Sequence, residues 1–245
     1  MELCIFCGNP ADSKEDLFPR WILKRVNTRV PLYRQMGDAP PEITEDQEVR
    51  VPCACQKCNN TWMSDIENDL AKPCLMDMIL SENPVALDSS CVASIAIFTF
   101  LKSVICDHAP ENQKPFFSAA TRYAFRRTLA LPRIQLWIGC LSSDRHHAIC
   151  RMKYGFWKPN PKVGISYRVY VFTWGVGRFF LQMLAFKSKS TRFRRLPIFN
   201  VIDQGPFFDQ YAIPIWPGAR NIVNWPPPKH LSGSLVDELT NRFTP

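Results

Sequence analysis

Hydrophobic and polar positions change their rhythm twice along this chain. Up to about residue 60 the apolar residues come in short runs broken by turn formers and cysteine pairs, and residues 37–48, with Pro40, Pro41 and a cluster of acids, read as a loop. A short helix is expected at residues 19–26, with Trp21, Ile22 and Arg25 inside it. After Cys58 the side chains Trp62, Met63, Ile66 and Leu70 recur at helical spacing, and Pro73 is expected to end or kink that helix. The second rhythm begins at Asp88, where cap-type residues open a run that is apolar on nearly all sides, the pattern of a buried helix. Residues 116–129 follow as an amphipathic helix, with Phe117, Ala120, Ala124 and Leu129 on one side and Arg122, Arg126 and Arg127 elsewhere.

After Pro132 the pattern turns to strands. Residues 133–141, 147–157, 166–174 and 178–186 are rich in aromatic and aliphatic side chains and bounded by Gly, Pro and Asn. Gly175-Val176-Gly177 predicts a tight hairpin between the last two. The sheet should be mainly antiparallel. Residues 205–228 are crowded with Pro and Trp, and residues 232–242 can form a short final helix. The class is α+β: an N-terminal metal-organised module, central helices, then the sheet. A boundary in residues 73–88 divides the chain into a module of residues 1–73 and a domain of residues 88–245.

Composition adds the means to fold: 46% of the 245 residues are apolar and 21% charged, which excludes disorder by composition. Charge changes the picture more. Residues 1–108 hold 10 basic and 16 acidic side chains, residues 109–200 hold 17 and 2, and residues 201–245 hold 3 and 4. The middle of the chain therefore carries the cationic character, interleaved with Phe, Tyr and Trp. That pattern fits a DNA or RNA backbone, the alternative being solvated strand edges and loops. Lys187, Lys189, Arg192, Arg194 and Arg195 place five cations and no acid in nine residues, which suits phosphate contacts or a basic loop. A membrane partner is not expected, because the most membrane-like stretch, residues 167–186, is interrupted by Arg168, Gly175, Gly177 and Arg178. The first residues have neither a basic stretch nor an apolar one, so no secretory signal is expected and the ten cysteines belong to a reducing, cytoplasmic setting.

Cysteine spacing is the strongest local signal. Cys4-x-x-Cys7 and Cys55-x-x-Cys58 form two knuckles, and four thiolates suit the tetrahedral preference of structural zinc. The first lies in a turn followed by Gly8 and the second opens a helix, an arrangement typical of a treble-clef finger. Cys53 stays open as a replacement for Cys55. Cys74, Cys91, Cys106, Cys140 and Cys150 lie in apolar or strand contexts and are expected to be core thiols. His146-His147 after Ser142-Ser143-Asp144 reads as a solvated turn rather than a triad, and no phosphate-binding glycine loop or His-Glu-x-x-His appears.

Three segments together resemble the HNH endonuclease superfamily, in particular bacterial and phage HNH-like proteins: Cys4-Ile-Phe-Cys7-Gly8, Lys14-Glu15-Asp16-Leu17-Phe18-Pro19-Arg20-Trp21, and Cys55-Gln-Lys-Cys58-Asn59-Asn60 with Trp62. The resemblance covers about residues 1–70. It implies a ββα-metal module propped by structural zinc, in which a catalytic Mg2+ or Mn2+ polarises a phosphodiester and a histidine acts as general base. Carried over by position, Glu15 matches the metal-binding acid, Asp16 stands where the base histidine is expected, and Asn59 or Asn60 stands at the helix ligand. An aspartate with a pKa near ~4 is a weaker base than an imidazole near ~6.5. Three readings of the acid pair follow: a working variant, a relic on a surviving zinc scaffold, or two acids that cap the helix near Pro19. On the later helix Asn60, Ser64 and Glu67 share a polar face. The expectation is a zinc-stabilised protein acting on nucleic acid, with hydrolysis by a degenerate site, or else a non-catalytic protein that binds nucleic acid or another protein.

Overall fold

The computed structural model describes residues 2–26, 31–37, 39–44, 49–81, 83–109, 114–142, 148–157, 167–188, 208–217 and 222–241. Mixed α+β architecture is observed. The N-terminal part holds strand β1 (Ser13–Asp16), the single-turn helix α1 (Arg20–Leu23), β2 (Leu32–Met36), β3 (Glu42–Thr44) and β4 (Arg50–Ala54). A nearly continuous helical stretch follows, from α2 (Gln56–Cys58) through π-type turns at Asn59–Met63 and Ile66–Ala71 into α3 (Lys72–Leu80). Pro73 is the second residue of α3, directly after the π-type turn at Ile66–Ala71, so it does not end the helical course.

Strand β5 (Val85–Asp88) leads into the long helix α4 (Ser89–His108), whose first turn is capped by Asp88 accepting from the Cys91 amide at 2.7 Å. By length and composition α4 could cross a bilayer, but 72% of that apolar window is buried inside the protein. Its apolar faces are spent on the core. Helix α5 (Ala119–Thr128) is capped by Ser118, then β6 (Ile134–Cys140), β7 (Ala148–Trp157), β8 (Tyr167–Val176), β9 (Phe179–Ser188), β10 (Ala212–Trp216), β11 (Ile222–Trp225) and α6 (Gly233–Asn241) complete the chain.

Seven strands form one sheet in the order β10-β6-β9-β8-β7-β2-β3. Every pair is antiparallel except β2 with β7, which runs parallel from Leu32 beside Ala148 to Met36 beside Met152. Alternation along β8 sends Tyr170, Phe172, Trp174 and Val176 into the main core, and Val169 and Val171 to the opposite face. The β8–β9 turn is Gly177-Arg178; a Cβ on Gly177, at φ +58°, would meet the Ile79 carbonyl at 2.5 Å, so the hairpin and α3 approach that closely only because residue 177 is glycine.

Two short antiparallel pairs, β1 with β4 and β5 with β11, lie outside this sheet. One hydrophobic cluster runs from Cys4 through α4 to Trp225, and β2 and β3 of the N-terminal segment extend the main sheet. Other expectations need correction. Part of the acidic loop is strand β3, residues 212–225 supply two further strands, and Cys74 and Cys91 are joined in a disulfide between α3 and α4 rather than being core thiols. Cys106, Cys140 and Cys150 are buried free thiols, as their apolar or strand contexts suggested.

Candidate metal centre and the neighbouring acid cluster

The first knuckle is a tight turn. Amides of Cys7 and Gly8 both donate to the Cys4 carbonyl, at 3.3 and 2.9 Å, and Gly8 takes φ +77°, a conformation that costs glycine little. The second knuckle caps its own helix: Cys55 Sγ accepts from the Cys58 amide at 3.4 Å, and Asp12 accepts from the Gln56 amide at 2.6 Å. These turns aim the sulfurs of Cys4, Cys7, Cys55 and Cys58 at one point, all within 4.8 Å of one another, with Cys7 and Cys55 at 3.6 Å. This set could hold a metal ion. Cys53 is buried outside it, its carbonyl accepting from the Ile5 amide at 3.0 Å, so Cys55 is the fourth member.

Behind the knuckles the residues of the acid motif take other partners. Glu15, alternating inward on β1, is 3% exposed, and Lys102 from α4 is 1% exposed. The Lys102 ammonium donates to Glu15 Oε1 at 2.8 Å, to the Asp16 carbonyl at 2.5 Å and to Glu67 Oε1. Burial pushes the lysine pKa down, but Glu15 and Glu67 more than offset that and leave it above the ordinary lysine value. For Glu15, burial is the largest effect and Glu67 adds to it, so its pKa is pushed up to about 7 despite Lys102.

The Asp16 carboxylate points the other way and pairs with Arg50 at 3.0 Å and Arg20 at 3.3 Å. Neither acid caps α1, whose N-cap is Pro19 without a side-chain bond. Asn59 ties the second knuckle to β1 through Ser13 Oγ at 2.8 Å and the Lys14 carbonyl at 3.1 Å, and Asn60 faces solvent. The structure thus gathers Glu15 and Glu67 but not Asp16, Asn59 or Asn60. A catalytic Mg2+ or Mn2+ does not fit at Glu15, because an ammonium already sits on the oxygens that would bind it. Sequence reasoning named Glu67 but missed its partner Lys102, which lies 87 residues from Glu15 inside a run that reads as uniformly apolar. The one local signal was that run's lone cation.

The basic middle of the chain is hung on aromatic contacts. Phe6 meets Trp62 at 5.0 Å, Trp62 meets Phe125 of α5 at 5.9 Å, Phe125 meets Phe100 of α4 at 4.7 Å, and Phe117 bridges Phe100 and Tyr170 at 4.9 and 5.4 Å. Asp107, 1% exposed, holds the turn before α5 by accepting from the amides of Phe116 and Phe117 at 2.7 and 2.8 Å and from Tyr154 at 2.8 Å. Arg122 is clamped to the carbonyls of Ile5 and Phe117 at 3.0 and 2.5 Å, and Lys187 donates to the Phe116 carbonyl and lies over its ring at 4.6 Å.

Arg126 is half-buried and Arg127 exposed on α5. Lys189, Arg192, Arg194 and Arg195 lie outside the described residues, as do His146 and His147. Burial and then the repulsion of Arg168, Lys114 and Arg122 push the Lys187 pKa down, with Asp107 opposing. Comparison with protein-family models, curated proteins and solved structures finds no match to this chain.

Proposed function

We propose that this chain is a non-catalytic nucleic-acid-binding protein built on an HNH-like treble clef, with zinc held by Cys4, Cys7, Cys55 and Cys58. Zinc supplies a structural cross-link between segments 48 residues apart. The support for binding is one juxtaposition: Lys114, Arg122, Arg126, Arg127, Arg168 and Lys187 form no ion pair among the described residues, while Lys187 is close enough to Lys114, Arg122 and Arg168 to be repelled by them. Clustered like charges destabilise a free protein and are relieved by a polyanion, whose counterions are released on binding. Against hydrolysis stands Lys102, which takes the acid that a catalytic ion needs.

The test is binding of labelled DNA and RNA across a salt series, alongside a cleavage assay with Mg2+ and Mn2+. Affinity should fall steeply with salt, Arg126→Ser with Arg127→Ser should flatten the slope, and no cut product should form. Binding that ignores salt, or robust cleavage abolished by Glu15→Ala, overturns the reading.

A further inference from the structure

A cavity of about 810 Å³ opens beside the first knuckle, lined by Glu2, Leu3, His108, Pro115, Arg122 and Tyr123 among others. Its size lies in the range of ligand pockets, roughly 300–1,000 Å³. Two independent features meet there. Arg122 is held by two carbonyls that use two of its five N–H groups, leaving a guanidinium fixed in place with donors to spare. His108, at the end of α4, lines the wall, with its Nδ1 buried away from the open space. Tyr123, one residue along α5 from the clamp, keeps 40% of its surface exposed, and Leu3 keeps 60%.

We infer that this cavity takes one unpaired nucleotide of a single-stranded nucleic acid, its phosphate on Arg122 and its base against Tyr123. The inference rests on the nucleic-acid reading above and adds which form of nucleic acid is bound and where. A fixed guanidinium suits a phosphate oxygen pair, and an exposed phenol ring offers a stacking platform that any base can use. Lys114, Arg168 and Lys187 around the Phe116 turn carry the neighbouring phosphates. Glu2, the one acid among the described lining residues, would repel a second phosphate inside the cavity and can accept from base N–H groups. Duplex DNA cannot present an unstacked base, so it can use only the outer cations.

The experiment measures anisotropy of a labelled eight-nucleotide single strand and of the matching duplex, with the full zinc-loaded chain. Wild type should bind the single strand more tightly, and Tyr123→Ala should weaken that binding roughly ten-fold, the size of one lost base stack, without changing the salt slope. Tyr123→Phe should retain it, and duplex binding should not respond to either variant. Arg126→Ser with Arg127→Ser should instead weaken both forms and flatten the slope. Single-strand binding unchanged in Tyr123→Ala overturns the cavity assignment and leaves the nucleic-acid reading standing. Failure of wild type to bind either form at low salt overturns both.

Discussion

Two clusters of anionic ligand atoms lie close together in this fold and solve the same electrostatic problem in opposite ways. At the knuckles four sulfurs converge within 4.8 Å of one another, and among the described residues no ion pair involves the one cation within the two knuckles in sequence, the exposed Lys57. At the acid cluster two carboxylates and a carbonyl converge on an ammonium that the chain itself provides. Convergent ligands need a cation in either case, since thiolates or carboxylates brought together in a low-dielectric interior repel and are costly to desolvate. The difference teaches where a metal dependence lies. With zinc bound as proposed, the knuckles would draw their charge balance from solution, whereas the acid cluster is closed by Lys102 of α4.

The largest effect should therefore come from the knuckles. Cys58→Ser, or a strong chelator, should unfold the region around α2 and release Trp62 from Phe6 and Phe125, because metal binding and folding are coupled at such sites. Elemental analysis should find one zinc per chain, and tryptophan fluorescence should red-shift when it is removed. Folded, metal-free protein with native fluorescence would remove the contrast between the two clusters.

Next in size is the internal cation. Lys102→Met conserves length and apolar bulk but takes the ammonium from the buried Glu15 and the partly buried Glu67, a loss of about 3–5 kcal/mol for breaking one side of a buried ion pair. Adding Glu15→Gln and Glu67→Gln to that variant should recover much of the loss, since it then removes the whole charge set. Urea midpoints of the single and triple variants measure this. If Lys102→Met is nearly neutral, water or protonation already relieves the carboxylates, and the ammonium is not what balances them.

How much of this was legible differs between the two clusters for a physical reason. The knuckles announce themselves because Cys-x-x-Cys is a local geometry: the turn that makes both sulfurs reach one ion is written within four residues. The acid cluster is assembled across β1, the π-type turns and α4, and no local pattern says that Lys102 will point at Glu15. The helices and the antiparallel core strands follow from periodicity, so α4, α5 and β6 to β9 fall close to their expected places. The parallel β2–β7 pair and the β5–β11 pair do not, since strand partners at that separation leave no trace in local alternation. The Cys74–Cys91 disulfide escaped for the same reason: each cysteine sits in an apolar helical context that suits a buried thiol equally well. Arg122 and Lys187 were expected to face phosphate, and what the structure shows of them is hydrogen bonds to backbone carbonyls.

The finest contrast is in pH. With two carboxylates sharing one ammonium, the Glu15 carboxyl, raised to about 7 by burial first and by Glu67 second, holds a proton in the folded state that it loses in the unfolded state near the ordinary glutamate value. Between those two values the folded state binds more protons, so this group's contribution is present below the unfolded pKa and is lost as pH rises through about 7. Knuckle thiolates holding the proposed zinc would work in the reverse sense, because acid competes with a metal for sulfur. Comparing wild type with Glu15→Gln cancels that opposing contribution, since both keep the same cysteines. Glutamine cannot ionise but still offers an oxygen to Lys102. The stability difference should shift toward the variant by about 1–2 kcal/mol between pH 6 and pH 8, from the linkage of a shift this size. A difference that stays constant over that range means Glu15 is ionised throughout, and that Lys102 balances both carboxylates without help from a proton.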